Sequence, residues 1–199
     1  MSEPIFGLIL AGGSSTRMHR DKATLQYHGR IQLDRTFELA SRQVRDVFVS
    51  VRAAQTSDPT RSAHPMIVDS VAGAGPIVGI RSALAAHPEA AWLVLACDLP
   101  FLSDETLDFL MRRRDAAGFA TAYKSTHDGF PEPLCAIWEP AAATALALYQ
   151  AGGEHCPRKF LIRSGARLLD LPDARALDNV NTPEEYTHAL ATLDGSPCN

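Results

Sequence analysis

A short segment near the N-terminus combines glycines, small hydroxyl residues and cations in a pattern suited to binding phosphate. It follows the apolar run Ile5–Leu10 and has the sequence AGGSSTRMHRDK (11–22). Glycines let backbone amides approach a ligand closely, and successive amides form a concavity that binds anions. Arg17 can hold phosphate oxygens with two donors, and Lys22 supplies a compact point charge. The segment is either a phosphate-binding loop or a strand-to-helix turn with exposed basic residues.

A carboxylate further along the chain is placed to hold a divalent cation beside that loop. Asp98 closely follows the apolar run 92–96. The carboxyl ends of parallel strands meet at one edge of a sheet, where ligands bind. Mg²⁺ prefers one or two carboxylates together with phosphate oxygens. The alternative is that Asp98 only forms a turn before Pro100.

Two further segments carry polar groups at the ends of predicted elements. Asp69 precedes the glycine-rich stretch GAGPIVGI (73–80), which either wraps a base or ribose or forms an ordinary loop. Asn179 and Asn181 precede the predicted helix cap Thr182. Asn181 either contacts a metal or phosphate or is a turn residue.

The elements that must position these residues alternate between apolar runs and helical patterns. The apolar runs predict strands at Ile5–Leu10, Val47–Val51, Met66–Val68, 92–96, 120–123 and 134–138. Terminal signals and periodicity predict helices over 33–44 and 79–87, after the cap Ser103, over 140–151 and after the cap Thr182. This alternation predicts an α/β fold, a mainly parallel sheet with helices on both faces.

Length and composition narrow the class of protein. The 199 residues predict a single domain over 1–193 and a loose tail over 194–199. The net charge of −4 predicts no basic surface for nucleic acid, and no apolar run is long enough to span a bilayer. The four cysteines are scattered, without zinc spacing or a secretory signal. We therefore expect a cytoplasmic protein with free thiols.

Five motifs, taken in order, resemble those of the molybdenum cofactor guanylyltransferase family, which belongs to the broader MobA-like nucleotidyltransferases. They are LAGGSSTRMHRDKA, DSVAGAGPIVGI, LACDLPFL, PEPLCAIW and NVNTPEEY, and they extend from Leu10 to Tyr186. The resemblance implies a three-layer, Rossmann-like mixed sheet of the nucleotide-diphospho-sugar transferase type. It also implies transfer of GMP from GTP to molybdopterin, with Mg²⁺ as cofactor, release of pyrophosphate, and other molybdenum cofactor biosynthesis proteins as partners.

The resemblance further implies roles for individual residues. It implies that Asp98 holds the metal. It also implies that seven residues bind the nucleotide: Leu10, Ala11, Gly12, Gly13, Lys22, Asp69 and Asp98. Gly75 joins them from the glycine-rich stretch, and Asn181 is a weaker candidate metal ligand. Catalysis is expected from Arg17, Lys22 and Asp98. The motif LAGG, in place of the LAAG of cytidylyl-transferring relatives, favours guanine.

Two residues depart from the family pattern, and one basic segment is a candidate for the acceptor. His19 stands where the family usually has glycine, and Arg52 stands where relatives often have asparagine. His19 is either a surface residue or a group that touches the phosphates. Arg158 and Lys159 are expected to bind the acidic acceptor, since phosphates require cations opposite them. The alternative for that segment is a solvated basic turn.

Two other functions remain open on sequence alone. The same chemistry with another base or acceptor would give CMP transfer to molybdopterin, or nucleotidyl transfer to a sugar or polyol phosphate. A non-catalytic nucleotide-binding module is a second alternative, to which His19 and Arg52 point. Lys22, Asp69 and Asp98 argue against it, because a binding module has less need of a metal carboxylate.

Overall fold

The computed structural model describes residues 3–12, 21–27, 29–71, 73–193 and 195. Its strands are β1 Ile5–Leu10, β2 Gln26–Tyr27, β3 Arg30–Ile31, β4 Val47–Val51, β5 Met66–Val68, β6 Ala91–Ala96, β7 Ala120–Lys124, β8 Pro131–Trp138 and β9 Arg167–Leu169. Its α-helices are α1 Gln32–Gln43, α2 Pro59–Ser62, α3 Pro76–Ala86, α4 Asp104–Arg112, α5 Ala142–Ala151, α6 Pro157–Ser164 and α7 Pro183–Leu193. Short 3₁₀ helices span Lys22–Thr24 and Ala53–Gln55.

Seven of these strands form one mixed sheet in the order β5-β4-β1-β6-β8-β7-β9. β1 is parallel to both β4 and β6, whereas β8 is antiparallel to β6 and β7. The chain runs outward from β1 to β4 and β5, and then returns to form β6 on the other side of β1. The strand order therefore reverses between β1 and β6, which opens a crevice at their carboxyl ends.

Helices cover both faces of the sheet, so the predicted three-layer α/β architecture is confirmed. On one face, Ile9 and Leu93 pack with Leu33 of α1 and Leu107 of α4. On the other face, large apolar side chains come from the sheet and from α3, α5 and α6: Leu8, Trp92, Val94, Ile77, Leu146 and Phe160. Alternate residues of β1 and β6 thus enter opposite cores. This is why both strands are continuous apolar runs.

Several element boundaries differ from the predictions for local reasons. α3 begins at Pro76 and not at residue 79, because Gly75 adopts φ 81° as the N-cap and proline follows at the first helical position. Helix α6, for which the sequence analysis left a basic turn open, also begins with a proline and ends at Gly165 in the left-handed conformation. In the part of the chain that the structure describes, no helix has the length and apolarity needed to cross a membrane.

Gly79 sets how closely α3 approaches the sheet. A Cβ atom at this position would overlap with Ser50 Oγ and would lie 2.8 Å from Leu10 Cδ2. Ser50 and Leu10 lie in β4 and β1, next to the crevice. A side chain at position 79 would therefore push α3 away from the strands that border this crevice.

We predict that Gly79→Ala lowers the free energy of unfolding. Overpacking a core costs about 1–3 kcal/mol, and the helix propensity of alanine offsets about 1 kcal/mol, so a net loss of up to about 2 kcal/mol is expected. Urea denaturation measures it. Gly118→Ala is the matched control, because its Cβ would meet Asp115 at no less than 3.7 Å. Equal stability of the two variants would contradict the close approach of α3.

Candidate functional site

A cavity of about 670 Å³ lies at the carboxyl ends of β1, β4 and β6. This volume is in the range of small-molecule sites. Seven of the residues that the sequence analysis selected line it: Leu10, Ala11, Gly12, Lys22, Asp69, Gly75 and Asp98. The crevice that the reversed strand order creates is thus the place where the predicted nucleotide-binding residues meet.

Lys22, Asp98 and Asn181 are in direct contact, although they come from distant parts of the chain. Lys22 Nζ donates to Asp98 Oδ2 at 2.8 Å and to Asn181 Oδ1 at 2.5 Å. The side chains of Lys22 and Asp98 are 18% and 21% exposed, so the ion pair is partly shielded from water. Shielding strengthens the interaction of charges relative to bulk water.

A small apolar cluster explains why these three side chains meet. Leu25 and Tyr27, which follow Lys22, pack with Val180 and with Ala189 of α7. The backbone amide of Val180 also donates to the carbonyl of Asp98 at 3.2 Å. The segment that carries Asn181 is therefore fixed both to the exit of β6 and to the segment after Lys22.

Asp69 lies on another wall of the same cavity. β4 and β5 are parallel neighbours, and Ser50 Oγ donates to Asp69 Oδ1 at 3.3 Å. Burial raises the pKa of Asp69, an effect that the hydrogen bond from Ser50 and the charge of Arg52 oppose. Arg52 itself borders the cavity, where its backbone amide and Nε both donate to Gln55 Oε1.

The glycine-rich stretch forms the turn that leads into α3. Gly73 and Gly75 have φ values of 136° and 81°, which side chains rarely allow, and both border the cavity. Gly75 provides no side chain to cap α3. Gly75, Pro76, Val78 and Gly79 line the cavity, so the amino end of α3 borders it with the positive end of the helix dipole, which attracts anions.

Cys97 borders the cavity but does not suit nucleophilic chemistry. Burial, together with the neighbouring charge of Asp98, raises the pKa of its thiol to about 12. The reactive form of cysteine is the thiolate. Cys97 therefore remains a neutral, packed thiol at physiological pH.

The oxygens at this site suit a hard cation such as Mg²⁺. The carboxylate of Asp98 and the amide oxygen of Asn181 converge on one cationic atom, Lys22 Nζ. Among the described residues, no three His, Cys, Asp or Glu side chains are grouped closely enough to hold a metal by themselves. A metal at this site would need oxygen atoms from a bound substrate to complete its coordination. Mg²⁺ commonly takes such oxygens from nucleotide phosphates.

Some of the predicted site residues are not brought to the cavity, and others lie outside the described residues. Gly13, Arg17 and His19 belong to the second group. Arg158 and Lys159 lie in α6 and are not among the residues that line the cavity. Arg158 instead donates to Asp128 and Glu132, at 2.9 Å each. Its role in binding an acceptor remains a prediction.

The sequence analysis did not identify Ser50 or Arg61. Ser50 appears only as one residue of the apolar run Val47–Val51, and its contact with Asp69 depends on strand register. Arg61 is 1% exposed and contacts both Ala11 and Asp21. The only local signal is Asp58-Pro59, which indicates a helix start just before Arg61.

Known proteins with similar sequences identify the family of this chain. The model of the family described as MobA-like NTP transferase domain matches residues 7–168. A molybdenum cofactor guanylyltransferase from Cereibacter sphaeroides is 34% identical, over 95% of this chain and 97% of that protein. A molybdenum cofactor biosynthesis bifunctional protein from Synechocystis sp. is 33% identical over 92% of this chain. The chain spans only 53% of the length of the Synechocystis protein.

Solved structures show the same fold. Molybdopterin-guanine dinucleotide biosynthesis protein A from Archaeoglobus fulgidus superposes with a TM-score of 0.77 at 24% identity, over 96% of this chain and 99% of that chain. The 2-C-methyl-D-erythritol 4-phosphate cytidylyltransferase from Thermus thermophilus gives 0.66 at 19% identity, over 98% and 100%. At these identities the likeness concerns the fold alone.

We predict that Asp69→Asn stabilises the protein in a pH-dependent way. Because burial raises the pKa of Asp69 in the folded state, the folded protein loses stability as the pH rises from the ordinary carboxyl pKa of about 3.9 through the raised value. Asparagine removes this loss. The melting temperature of Asp69→Asn should therefore exceed that of the wild type more at pH 7 than at pH 4.

The control is Asp170→Asn, since Asp170 is 86% exposed and its ion pair with Lys124 contributes little. Its melting temperature should follow that of the wild type at both pH values. A constant difference between Asp69→Asn and the wild type across this range would mean that Asp69 is not penalised by burial.

Proposed function

The chain belongs to the MobA-like NTP transferase family, and we propose that it transfers GMP from GTP to molybdopterin with release of pyrophosphate, using Mg²⁺. The convergence of Lys22, Asp98 and Asn181 at the edge of a nucleotide-sized cavity carries this proposal. Guanine and the acceptor are suggested by the names of relatives such as the Cereibacter sphaeroides guanylyltransferase. The motif LAGG at Leu10–Gly13 supports the same base.

The proposed reaction is an in-line substitution at the α-phosphorus of GTP. A terminal phosphate oxygen of the acceptor forms the new P–O bond, and the bond to the β-phosphate oxygen breaks as pyrophosphate leaves. The second pKa of a phosphate monoester is about 6, so the attacking oxygen is already ionised at neutral pH. No general base is needed. Catalysis then depends on positioning and on neutralisation of charge.

The residues of the candidate site suit these two tasks, and two of them, Gly13 and Arg17, lie outside the described residues. The ammonium of Lys22 would stabilise the charge that develops on the departing pyrophosphate, together with Arg17. Asp98, with Asn181, would hold Mg²⁺, which supplies Lewis-acid polarisation of the phosphoryl oxygens when bound. Backbone amides of Gly12 and Gly13 would add fixed dipoles that need no reorganisation during the reaction. The walls at Asp69 and Gly75 would hold the nucleoside.

The proposal extends to the setting of the enzyme. We place it in the cytoplasm as a single domain over 1–193, with other molybdenum cofactor biosynthesis proteins as partners and no nucleic acid or membrane partner. Cys97, Cys135 and Cys156 are free thiols, as expected in a reducing compartment. The net charge of −4 disfavours nucleic acid as a partner. Arg158 and Lys159 stay candidates for the acceptor.

We predict that Lys22→Ala and Asp98→Ala each lower turnover by at least about 100-fold, the loss typical for a preorganised charge-stabilising group. Pyrophosphate release from GTP in the presence of molybdopterin measures it. Arg112→Ala and Asp108→Ala are matched controls, because this exposed ion pair lies on α4 and neither residue borders the cavity. Turnover of the site variants within a few-fold of these controls would remove Lys22 and Asp98 from their proposed roles.

A nucleotide panel tests the base and the acceptor. Wild-type protein should release pyrophosphate from GTP only when both molybdopterin and Mg²⁺ are present, and addition of EDTA should stop the reaction. Faster release of pyrophosphate from CTP than from GTP would show that the protein transfers CMP and not GMP. Tight binding of GTP in calorimetry without any pyrophosphate release would favour a non-catalytic binding module.

A further inference from the structure

The guanidinium of Arg61 is enclosed in the protein and contacts Ala11 and Asp21, near the two ends of the segment that is proposed to bind phosphate. Arg61 is 1% exposed. Its Nε and Nη2 both donate to the carbonyl oxygen of Ala11, at 3.0 and 2.7 Å. Nη2 also lies 2.7 Å from Asp21 Oδ2, and Nη1 lies 3.2 Å from Asp58 Oδ1. One planar cation therefore joins three separate backbone segments.

Two of these contacts flank the loop itself. Ala11 is the last residue before Gly12, and Asp21 directly precedes Lys22. We propose that Arg61 is a positioning residue that closes the base of this loop, setting the Gly12 amide and Lys22 in the orientation that nucleotidyl transfer needs. This inference rests on the proposed function for its catalytic meaning, but its contacts exist without a nucleotide.

The contact with Ala11 fixes the direction of the next amide. In a trans peptide unit the N–H points opposite to the preceding C=O. Because the carbonyl of Ala11 points at Arg61, the N–H of Gly12 points away from Arg61. Gly12 borders the cavity, whereas Arg61 is not among the lining residues. The amide dipole is thereby held toward the ligand side before any ligand binds, as transition-state stabilisation by fixed dipoles requires.

The contact with Asp21 fixes the backbone that carries Lys22. Asp21 Oδ1 accepts from the amide of Ala23 at 3.0 Å and so caps the 3₁₀ helix Lys22–Thr24, while Oδ2 is bound to Arg61. Both carboxylate oxygens are thus used. Lys22 begins this helix, and its Nζ reaches Asp98 at 2.8 Å. Arg61 therefore acts on Lys22 through one intermediate residue.

Arginine suits this position in charge and in shape. Burial opposes its charged form, but the hydrogen bonds and charges of Asp21 and Asp58 outweigh burial and raise the pKa of Arg61. Asp58 is itself fixed, since Oδ1 accepts from the Arg61 amide at 3.0 Å as the N-cap of α2. The fork of donors allows simultaneous contact with a carbonyl and two carboxylates. The single ammonium of lysine cannot reproduce these contacts.

The first experiment compares Arg61→Lys with a matched variant of Arg114, which is 12% exposed and bound to a buried carboxylate. Arg114 donates from Nε and Nη2 to Glu139 at 2.8 and 2.7 Å, and Glu139 is fully buried. Glu139 follows β8, which is antiparallel to β6, so this pair lies at the sheet edge opposite the cavity. Arg61→Lys and Arg114→Lys both disrupt an arginine that is largely shielded from water, 1% exposed for Arg61 and 12% for Arg114, and that makes at least two hydrogen bonds. They should therefore lower the melting temperature, but only one of them disturbs the loop.

We expect Arg61→Lys to lower kcat roughly 10- to 100-fold at a temperature where both variants are folded, since a small misplacement of catalytic groups has effects of this size. Arg114→Lys should retain the wild-type kcat, and the KM for molybdopterin should change in neither variant. Equal kcat values for the two variants would overturn the positioning role. If Arg61→Lys does not fold, Asp21→Asn replaces it, since it keeps the cap to Ala23 while weakening the contact with Arg61.

The second experiment needs no activity and separates this inference from the proposed function. Amide ¹H–¹⁵N spectra of the ligand-free protein should show shifted Gly12 and Lys22 resonances in Arg61→Lys and a shifted Gly12 resonance in Asp21→Asn, but neither shift in Arg114→Lys. If the wild type releases no pyrophosphate, the proposed function fails, and these resonances alone decide whether Arg61 sets the loop. Unchanged Gly12 and Lys22 resonances would overturn the inference even in an active enzyme.

Discussion

The site depends on one contact, in which the ammonium of Lys22 lies between the carboxylate of Asp98 and the amide oxygen of Asn181. These partners are 76 and 159 positions away from Lys22 along the chain. An ion pair of this kind gains little when it is exposed and more when water is partly excluded. The apolar cluster of Leu25, Tyr27, Val180 and Ala189 packs the segment after Lys22 against the segment that carries Asn181, and the Val180 amide binds the carbonyl of Asp98. Packing of apolar side chains therefore determines the electrostatics of the site.

The opposite wall of the cavity depends on the close packing of α3 against β1 and β4, and not on a cluster of apolar side chains. α3 lies against β1 and β4 because residue 79 has no side chain, and this approach leaves Ser50 in position to bind Asp69. The same helix begins at Pro76 after the N-cap Gly75, which has no side chain to place between the amino end of the helix and the cavity. Gly79 and Gly75 thus allow the carboxylate of Asp69 and the amino end of α3 to border the same cavity. Neither effect would survive an added Cβ atom unchanged.

Much of this arrangement follows from the sequence, and the rest depends on tertiary contacts. The bounds of β1, β4 and β5 agree with their apolar runs, because short continuous apolar runs are a strong signal for strands. The rule that ligands bind at the carboxyl ends of parallel strands was enough to bring Lys22 and Asp98 together. β9 has only three residues and gives no such signal. Arg61 was missed because its burial arises from partners 40 and 50 positions away.

The charges around the cavity explain why a divalent cation must accompany the nucleotide under the proposed function. Asp98 already opposes the charge of Lys22, and Asp21 is bound to Arg61. Asp69 adds another carboxylate, against which Arg52 is the remaining cation among the described residues that border the cavity. The described part of the cavity wall would therefore present a triphosphate with a surface close to neutral and not a cationic one. Fixed amide dipoles supply part of the missing positive charge. Under the proposed function, Asp98 and Asn181 would hold a divalent cation that supplies further positive charge opposite the phosphates.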